Sequence, residues 1–357
     1  MTICYFGDYH PNYPRHKILI NGLRLNGVEV IEKRTEKRGL AKYVDLIKMI
    51  LAINYDKNIA LVLVAYSDSR FVWLLKIFAK KPLIWNAFYS IYDNWIYDRK
   101  LASPLSLKAL YFWLSDWICC QAADLIILET NNDIEYFVKT FHIKKKKFIR
   151  VFVGYDEEVM YPRPSEKKGD EFIVEFHGKY IPVQGIEYIV KAAKLLENEN
   201  IKFIIIGEGQ EYNRIMQLKE ELKPNNINFM RTLPFIDLPP YMAAADVCLG
   251  LLGDRSRIDQ AIPNKIYEAA GMKKACINAD TKAIHELFTN RENILLCHRA
   301  DPKDLAAKIL ELKNNPALKE RIAQQAHALV REKVSFAALG KTLKDELEKH
   351  FGSYVHP

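Results

Sequence analysis

The sequence predicts an α/β protein built as two doubly wound parallel-sheet domains in series. Near-continuous Ile, Val and Leu runs alternate with helix-length amphipathic segments from one end to the other. That is the pattern of parallel strands covered by helices on both faces. A stretch rich in Pro, Gly and charge at 161–170 interrupts the alternation midway. At 357 residues the chain also exceeds one compact core of ordinary size. The expected division is a first domain over 1–160, a linker over 161–170 and a second domain over 171–335, followed by a C-terminal helix over 336–357 that can pack back on the first domain.

In the first domain the strand-like runs are 2–6, 28–32, 59–65, 83–86, 125–129 and 149–153. Helical patterns at 15–25, 43–53, 71–79 and 133–141 lie between them. The apolar segment 105–123 carries Lys108, Asp116 and Gln121, so it reads as a helix of the fold rather than a membrane span. In the second domain the runs are 172–176, 203–206, 227–230, 247–251, 275–277 and 294–297, and helical segments at 302–313, 317–330 and 336–349 close the chain. Two such sheets are expected to face a cleft between the domains, where the carboxyl ends of the strands take ligands.

Six cysteines occur without a CxxC pair, four of them in apolar runs. Free buried thiols, and hence a cytoplasmic location, are expected. The chain opens directly into strand-like residues, so no signal peptide is expected. The net charge of +8 is uneven: residues 1–170 hold 26 Lys and Arg against 19 Asp and Glu, the remainder 26 against 25. A basic first half suits an anionic membrane surface or a phosphorylated acceptor. The run Lys144 to Lys147 is its densest cluster, and a solvated loop accounts for it equally well. Segment 71–120 interleaves many aromatic residues with lysines, which fits core packing, sugar stacking or a peripheral seat on the inner face of a membrane. No nucleic-acid module is present, and no nucleic acid partner is expected.

Chemistry concentrates in 262–271, Ile-Pro-Asn-Lys-Ile-Tyr-Glu-Ala-Ala-Gly. Asn264 is expected as the cap of a helix whose first turn offers unpaired N–H groups to a phosphate. Lys265 adds a mobile charge there, and Glu268, a turn further on, can accept hydrogen bonds from vicinal hydroxyls such as those of a ribose. An ordinary capped helix with a solvated glutamate is the plainer alternative. Three Gly-containing turns precede it: His177-Gly178-Lys179 with Gln184-Gly185 beyond, Gly207-Glu208-Gly209, and the loop 250–262. All should open on one sheet edge, where Lys179 can meet an anion and Gly207 and Gly209 permit close approach to a base or sugar.

As a set, the motifs resemble glycosyltransferase family 4, retaining enzymes of the GT-B fold with two Rossmann-like domains. The matching pattern runs through Phe176-His177-Gly178-Lys179, Gln184-Gly185-Ile186, Ile206-Gly207-Glu208-Gly209, Leu238-Pro239-Pro240-Tyr241-Met242 and Ala244-Ala245-Asp246-Val247. It continues through Pro263-Asn264-Lys265-Ile266-Tyr267-Glu268-Ala269, Asn293-Ile294-Leu295-Leu296 and Asp301-Pro302-Lys303-Asp304-Leu305. The resemblance implies that Glu268 holds the ribose of a UDP- or GDP-linked sugar and that Lys179 neutralises its diphosphate. It sets the backbone of Pro263, Asn264 and Lys265 against phosphate or sugar. It also implies that Gly7 packs against the diphosphate from the first domain, with Arg15 meeting acceptor or phosphate.

The sequence departs from the family pattern in three places. Gln260, flanked by Asp259, stands where a second glutamate grips the donor sugar; Gln184 stands where a lysine is usual; and Asn86, with Asp93 further on, occupies the place of an acceptor-side histidine or acid. No Asp-x-Asp occurs, so no metal is expected on the diphosphate and no cofactor beyond the nucleotide sugar. The expected activity is retaining transfer of a hexose from a nucleotide sugar to a glycan or lipid-linked glycan, in surface polysaccharide assembly. Lys179 and Glu268 are the expected catalytic residues. A nucleotide-sugar epimerase or hydrolase, or an inactive nucleotide-sugar-binding scaffold, are the alternatives.

Overall fold

The computed structural model describes residues 1–65, 71–165, 167 and 169–355. Its first unit comprises Met1–Gly154 with Val334–Pro357, and its second Tyr155–Lys333. The chain therefore crosses between units at 154/155 and at 333/334. This corrects the expected boundaries, because 161–170 lies within the second unit. Two residues of that expected linker, 166 and 168, lie outside the described residues, as do the last two of the expected C-terminal helix.

In the first unit the elements are β1 (Thr2–Gly7), α1 (Pro14–Leu25), β2 (Glu29–Arg34), α2 (Leu40–Tyr55), β3 (Ile59–Val64), α3 (Val72–Phe78), β4 (Leu83–Asn86), α4 (Leu107–Ala122), β5 (Leu125–Leu128), α5 (Asn131–Phe141) and β6 (Phe148–Arg150). The strands form one parallel sheet in the order β2-β1-β3-β4-β5-β6. Alternate strand residues, among them Cys4, Phe6, Val62, Val64, Trp85, Ile126 and Leu128, meet the inward faces of α2 to α5 in one core. All six cysteines are buried free thiols.

The second unit runs β7 (Phe172–His177), α6 (Ile186–Leu195), β8 (Ile201–Ile206), α7 (Tyr212–Leu222), β9 (Ile227–Met230), α8 (Pro239–Ala244), β10 (Val247–Leu249), α9 (Asn264–Gly271), β11 (Ala275–Ala279), β12 (Leu295–Cys297), α10 (Pro302–Asn314) and α11 (Pro316–Lys333). Its parallel sheet has the order β12-β11-β10-β7-β8-β9. The order reverses between β7 and β10, the topological switch point at which such sheets take ligands.

The last helix, α12 (Phe336–Val355), returns to the first unit and lies along α1. Glycine makes this crossing. A Cβ on Gly340 would run into the Gly22 carbonyl, and one on Gly22 into the Phe336 carbonyl. Asn26 Nδ2 donates to the Ala337 carbonyl at 2.9 Å and Lys344 Nζ to the Asn26 carbonyl at 3.0 Å. Gly340→Ala should therefore prise the helices apart and cost about 1–3 kcal/mol, the scale of overpacking. Urea denaturation checks this, and an unchanged midpoint would mean that the crossing has slack.

Candidate functional site

Strand register builds the first part of the site. Phe172, Val174 and Phe176 of β7 point into the core of the second unit, so the alternate residues Glu175 and His177 share the opposite face. α9 follows β10 and packs against β10 and β11. It brings Glu268 onto that face, one turn beyond Lys265.

His177 stands between two carboxylates. Its Nδ1 lies 2.9 Å from Glu175 Oε1 and its Nε2 2.9 Å from Glu268 Oε2. Both neighbours are acceptors, so both ring nitrogens donate and the ring is an imidazolium. Burial alone would push this histidine down, but Glu175 and then Glu268 outweigh it and hold the group up at about 9. Among the described residues His177 is the one side-chain hydrogen-bond partner of the buried Glu268, and it bonds through Oε2.

Lys265 is buried too, which corrects the expectation of a mobile charge. Its Nζ donates to Gln184 Oε1 at 2.5 Å and sits 3.7 Å from the centroid of the Phe176 ring. Burial lowers it to about 7, although Glu175 and Glu268 favour its charged form. Gly178, at φ +153°, makes room for the ammonium, since a Cβ there would stand 2.8 Å from Nζ.

Several expectations change at this site. Asn264 is the first residue of α9 rather than its cap; Pro263 takes the cap position in extended conformation, without a side-chain capping bond. Proline presets that φ, and its carbonyl accepts the Ile266 N–H. Gly207 and Gly209 are required by the chain itself. A Cβ on Gly207 would run into the Gly178 carbonyl, and one on Gly209 would lie 2.7 Å from the Tyr180 backbone. Lys179 is exposed, and among the described residues its side chain has no ion pair. Gln260 is buried, while the adjacent Asp259 accepts from Arg299 and from the Lys282 N–H.

The residues expected on the acceptor side are interior to the first unit. Arg15 is wholly buried and donates to the Phe152 carbonyl at 2.5 Å, the Val151 carbonyl at 3.2 Å and Asn86 Oδ1 at 3.4 Å. Arg15 thus ties α1 to the chain beyond β6, a structural use of its charge. Asn86 and Asp93 are buried as well. Gly7 ends β1 at φ +137°, where a side chain is strained.

Glu175 was not singled out from the sequence, and His177 was read only as part of the Gly178 turn, without a role of its own. The signal was there: Phe-Ile-Val-Glu-Phe-His is an otherwise apolar central strand, and a carboxylate in such a strand needs a partner.

The fold class is GT-B, and the chain resembles solved structures over nearly its whole length. One is Anabaena Alr3699/HepE in complex with UDP-glucose, at 15% identity and a TM-score of 0.74, covering 98% of this chain and 100% of that one. Another is sucrose-phosphate synthase from Thermosynechococcus elongatus, at 15% identity and a TM-score of 0.78, covering 99% of each. More particularly, residues 160–328, within the second unit, match the model of Glycosyl transferases group 1. Curated relatives include the uncharacterized glycosyltransferase MJ1178 of Methanocaldococcus jannaschii, 23% identical over 180 residues that cover 50% of this chain and 48% of the relative. The lipopolysaccharide core biosynthesis glycosyltransferase LpsD of Rhizobium meliloti is 24% identical over 181 residues, half of each chain. The chain thus spans about half the length of these curated relatives.

The two shifted groups affect stability with opposite signs. His177 holds its proton more tightly when folded, so its contribution is complete below about pH 6.5 and is lost as pH rises through about 9. Lys265 holds its proton less tightly when folded, so the folded state gains stability as pH rises from about 7 towards 10.5. Between about pH 7 and 9 these slopes oppose each other. Relative to wild type, His177→Gln should make the melting temperature climb with pH across that window, and Lys265→Met should make it fall. Parallel profiles for all three proteins would remove both groups from this account.

Proposed function

We propose that the protein is a retaining glycosyltransferase, moving a sugar from a nucleoside-diphosphate sugar to a glycan or lipid-linked glycan. One observation carries this reading: Glu268, steadied by His177 beside Lys265 at the switch point, within the segment that matches Glycosyl transferases group 1. Glu268 Oε1 accepts from the ribose hydroxyls of the donor. The pyrophosphate lies towards Lys265 and the first N–H groups of α9, with Lys179 supplying a further, exposed cation. As the bond from sugar to diphosphate breaks, charge builds on the leaving oxygens, and fixed cations and N–H dipoles stabilise it. UDP is the first nucleotide to test, because solved relatives of this fold carry UDP and UDP-glucose. A curated relative named for lipopolysaccharide core biosynthesis supports a role in surface-glycan assembly.

The test is a calorimetric titration of UDP- and GDP-sugars, followed by assay of UDP or GDP release with and without glycan acceptors. Glu268→Ala should weaken donor binding by about 1.5–3 kcal/mol, the scale of hydrogen bonds to a charged group. Undiminished affinity in that variant would remove Glu268 from the donor site, and binding without turnover on any acceptor would overturn transfer. Donor binding should also take up protons near pH 7.5, because a pyrophosphate beside Lys265 restores the charge that burial removes. Titrations in buffers of different ionisation enthalpy read this directly, and equal heats in all of them would place the pyrophosphate elsewhere.

A further inference from the structure

In a doubly wound domain the outer face of each covering helix is normally polar. The second unit follows this rule, but the first does not. Of the nineteen large apolar side chains exposed among the described residues, fourteen lie between residues 40 and 118. The departure is sharpest on α4. Its buried residues are Ala109, Phe112, Asp116, Cys119 and Cys120, whereas Leu107, Leu110, Leu114 and Ile118 form an exposed stripe at helical spacing. The helix turns its one carboxylate inward, where Asp116 accepts from Ser90 Oγ at 2.7 Å and the Tyr92 N–H at 3.0 Å. Its leucines are left outside. α3 packs beside α4 and extends the stripe with Trp73 and Ile77, which is 66% exposed.

Positive charge borders this surface. Lys108 opens α4, Lys80 follows α3 with its Nζ 5.8 Å from the Tyr55 ring, and Lys100 is exposed ahead of α4. At the far end, Lys147 Nζ donates to the Cys120 and Gln121 carbonyls at 2.8 and 2.9 Å, pinning its turn against the end of α4. Lys144, Lys145 and Lys146, on the same turn near the C-terminal end of α4, are exposed. α3 contains no carboxylate and α4 only the inward Asp116; the carboxylate next to them, Asp124, is paired with Lys76 of α3 at 2.6 Å.

We propose that the outer face of α3 and α4 docks onto the surface of an anionic lipid bilayer, with Leu110, Leu114 and Trp73 entering the headgroup boundary and the bordering lysines meeting lipid phosphates. Apolar stripe and basic rim together are the two signals interfacial binding needs. The helix lies on the membrane and does not span it, since no helix among the described residues is long and apolar enough to cross. A second copy of the chain is the poorer occupant, because a two-fold contact would set the same basic rim against itself. The proposal stands apart from the donor site, as all of its residues belong to the first unit.

The test is co-sedimentation of the full chain with vesicles of phosphatidylcholine alone or with phosphatidylglycerol added. Binding should require the anionic lipid and weaken with salt. Leu110→Ser with Leu114→Ser should cut it at least about tenfold, at roughly 0.8 kcal/mol per buried CH₂. Each Lys→Gln change at 144–146 should cut it about fivefold, from about 1 kcal/mol per lysine near the surface. Brominated lipid should quench wild-type tryptophan fluorescence, and Trp73→Phe should remove part of that quenching if Trp73 enters the boundary. Equal binding to both vesicle types, or none to either, would overturn the proposal. So would a wild-type dimer in light scattering that the leucine double variant dissolves, since the face would then belong to a second copy.

Discussion

An imidazolium held between two buried carboxylates organises the second unit's site. A lone charged group taken from water into that interior would be strongly disfavoured, and Glu175 lies wholly inside. His177 offsets this by donating to Glu175 through one nitrogen and to Glu268 through the other. The ring therefore converts a strand carboxylate that no ligand reaches into a device that aims another carboxylate. It also holds Glu268 in place without using both of its oxygens. Lys265 completes the balance as a cation that the site's own burial has weakened. Such a lysine is poorly committed to its present partners, and an incoming anion can restore its charge.

Much of the fold was legible because parallel sheets write themselves plainly. Each strand run read from the sequence reappears within a few residues of an observed strand, since central strands covered on both faces admit little but Ile, Val, Leu and Phe. The switch point follows from that order. The unit boundaries were less legible: the Pro-rich stretch looks like a linker, yet the crossing occurs at Gly154, where φ is +75° and the close packing of Val334 and Leu339 requires glycine.

The site was legible in part. Lys265 and Glu268 fall a turn apart on one helix, and sequence spacing alone declares that. Their environment was not declared. Spacing cannot show that Gln184 and Phe176, from distant segments, enclose the lysine, or that Pro263 displaces Asn264 from the cap. Glycine misled for a related reason. Gly207 and Gly209 can look like ligand-facing residues, yet the neighbouring backbone of Gly178 and Tyr180 already demands them.

The two units meet the same architectural problem with different surfaces. Both cover a six-stranded parallel sheet with helices, and both hide apolar faces against it. In the second unit the outer helices carry charge, such as the Arg214 pairs with Glu187 and Glu211, and only Leu195 among their large apolar residues is exposed. In the first, α3 and α4 give up that polarity while α4 keeps an aspartate inside, where burial holds it up at about 7. Asp116 is needed inside by Ser90 and the Tyr92 N–H, but folding alone gains nothing from the exposed leucines, whose apolar area stays in water. The proposed apolar boundary outside the protein would take that stripe out of water, a gain the isolated fold does not make.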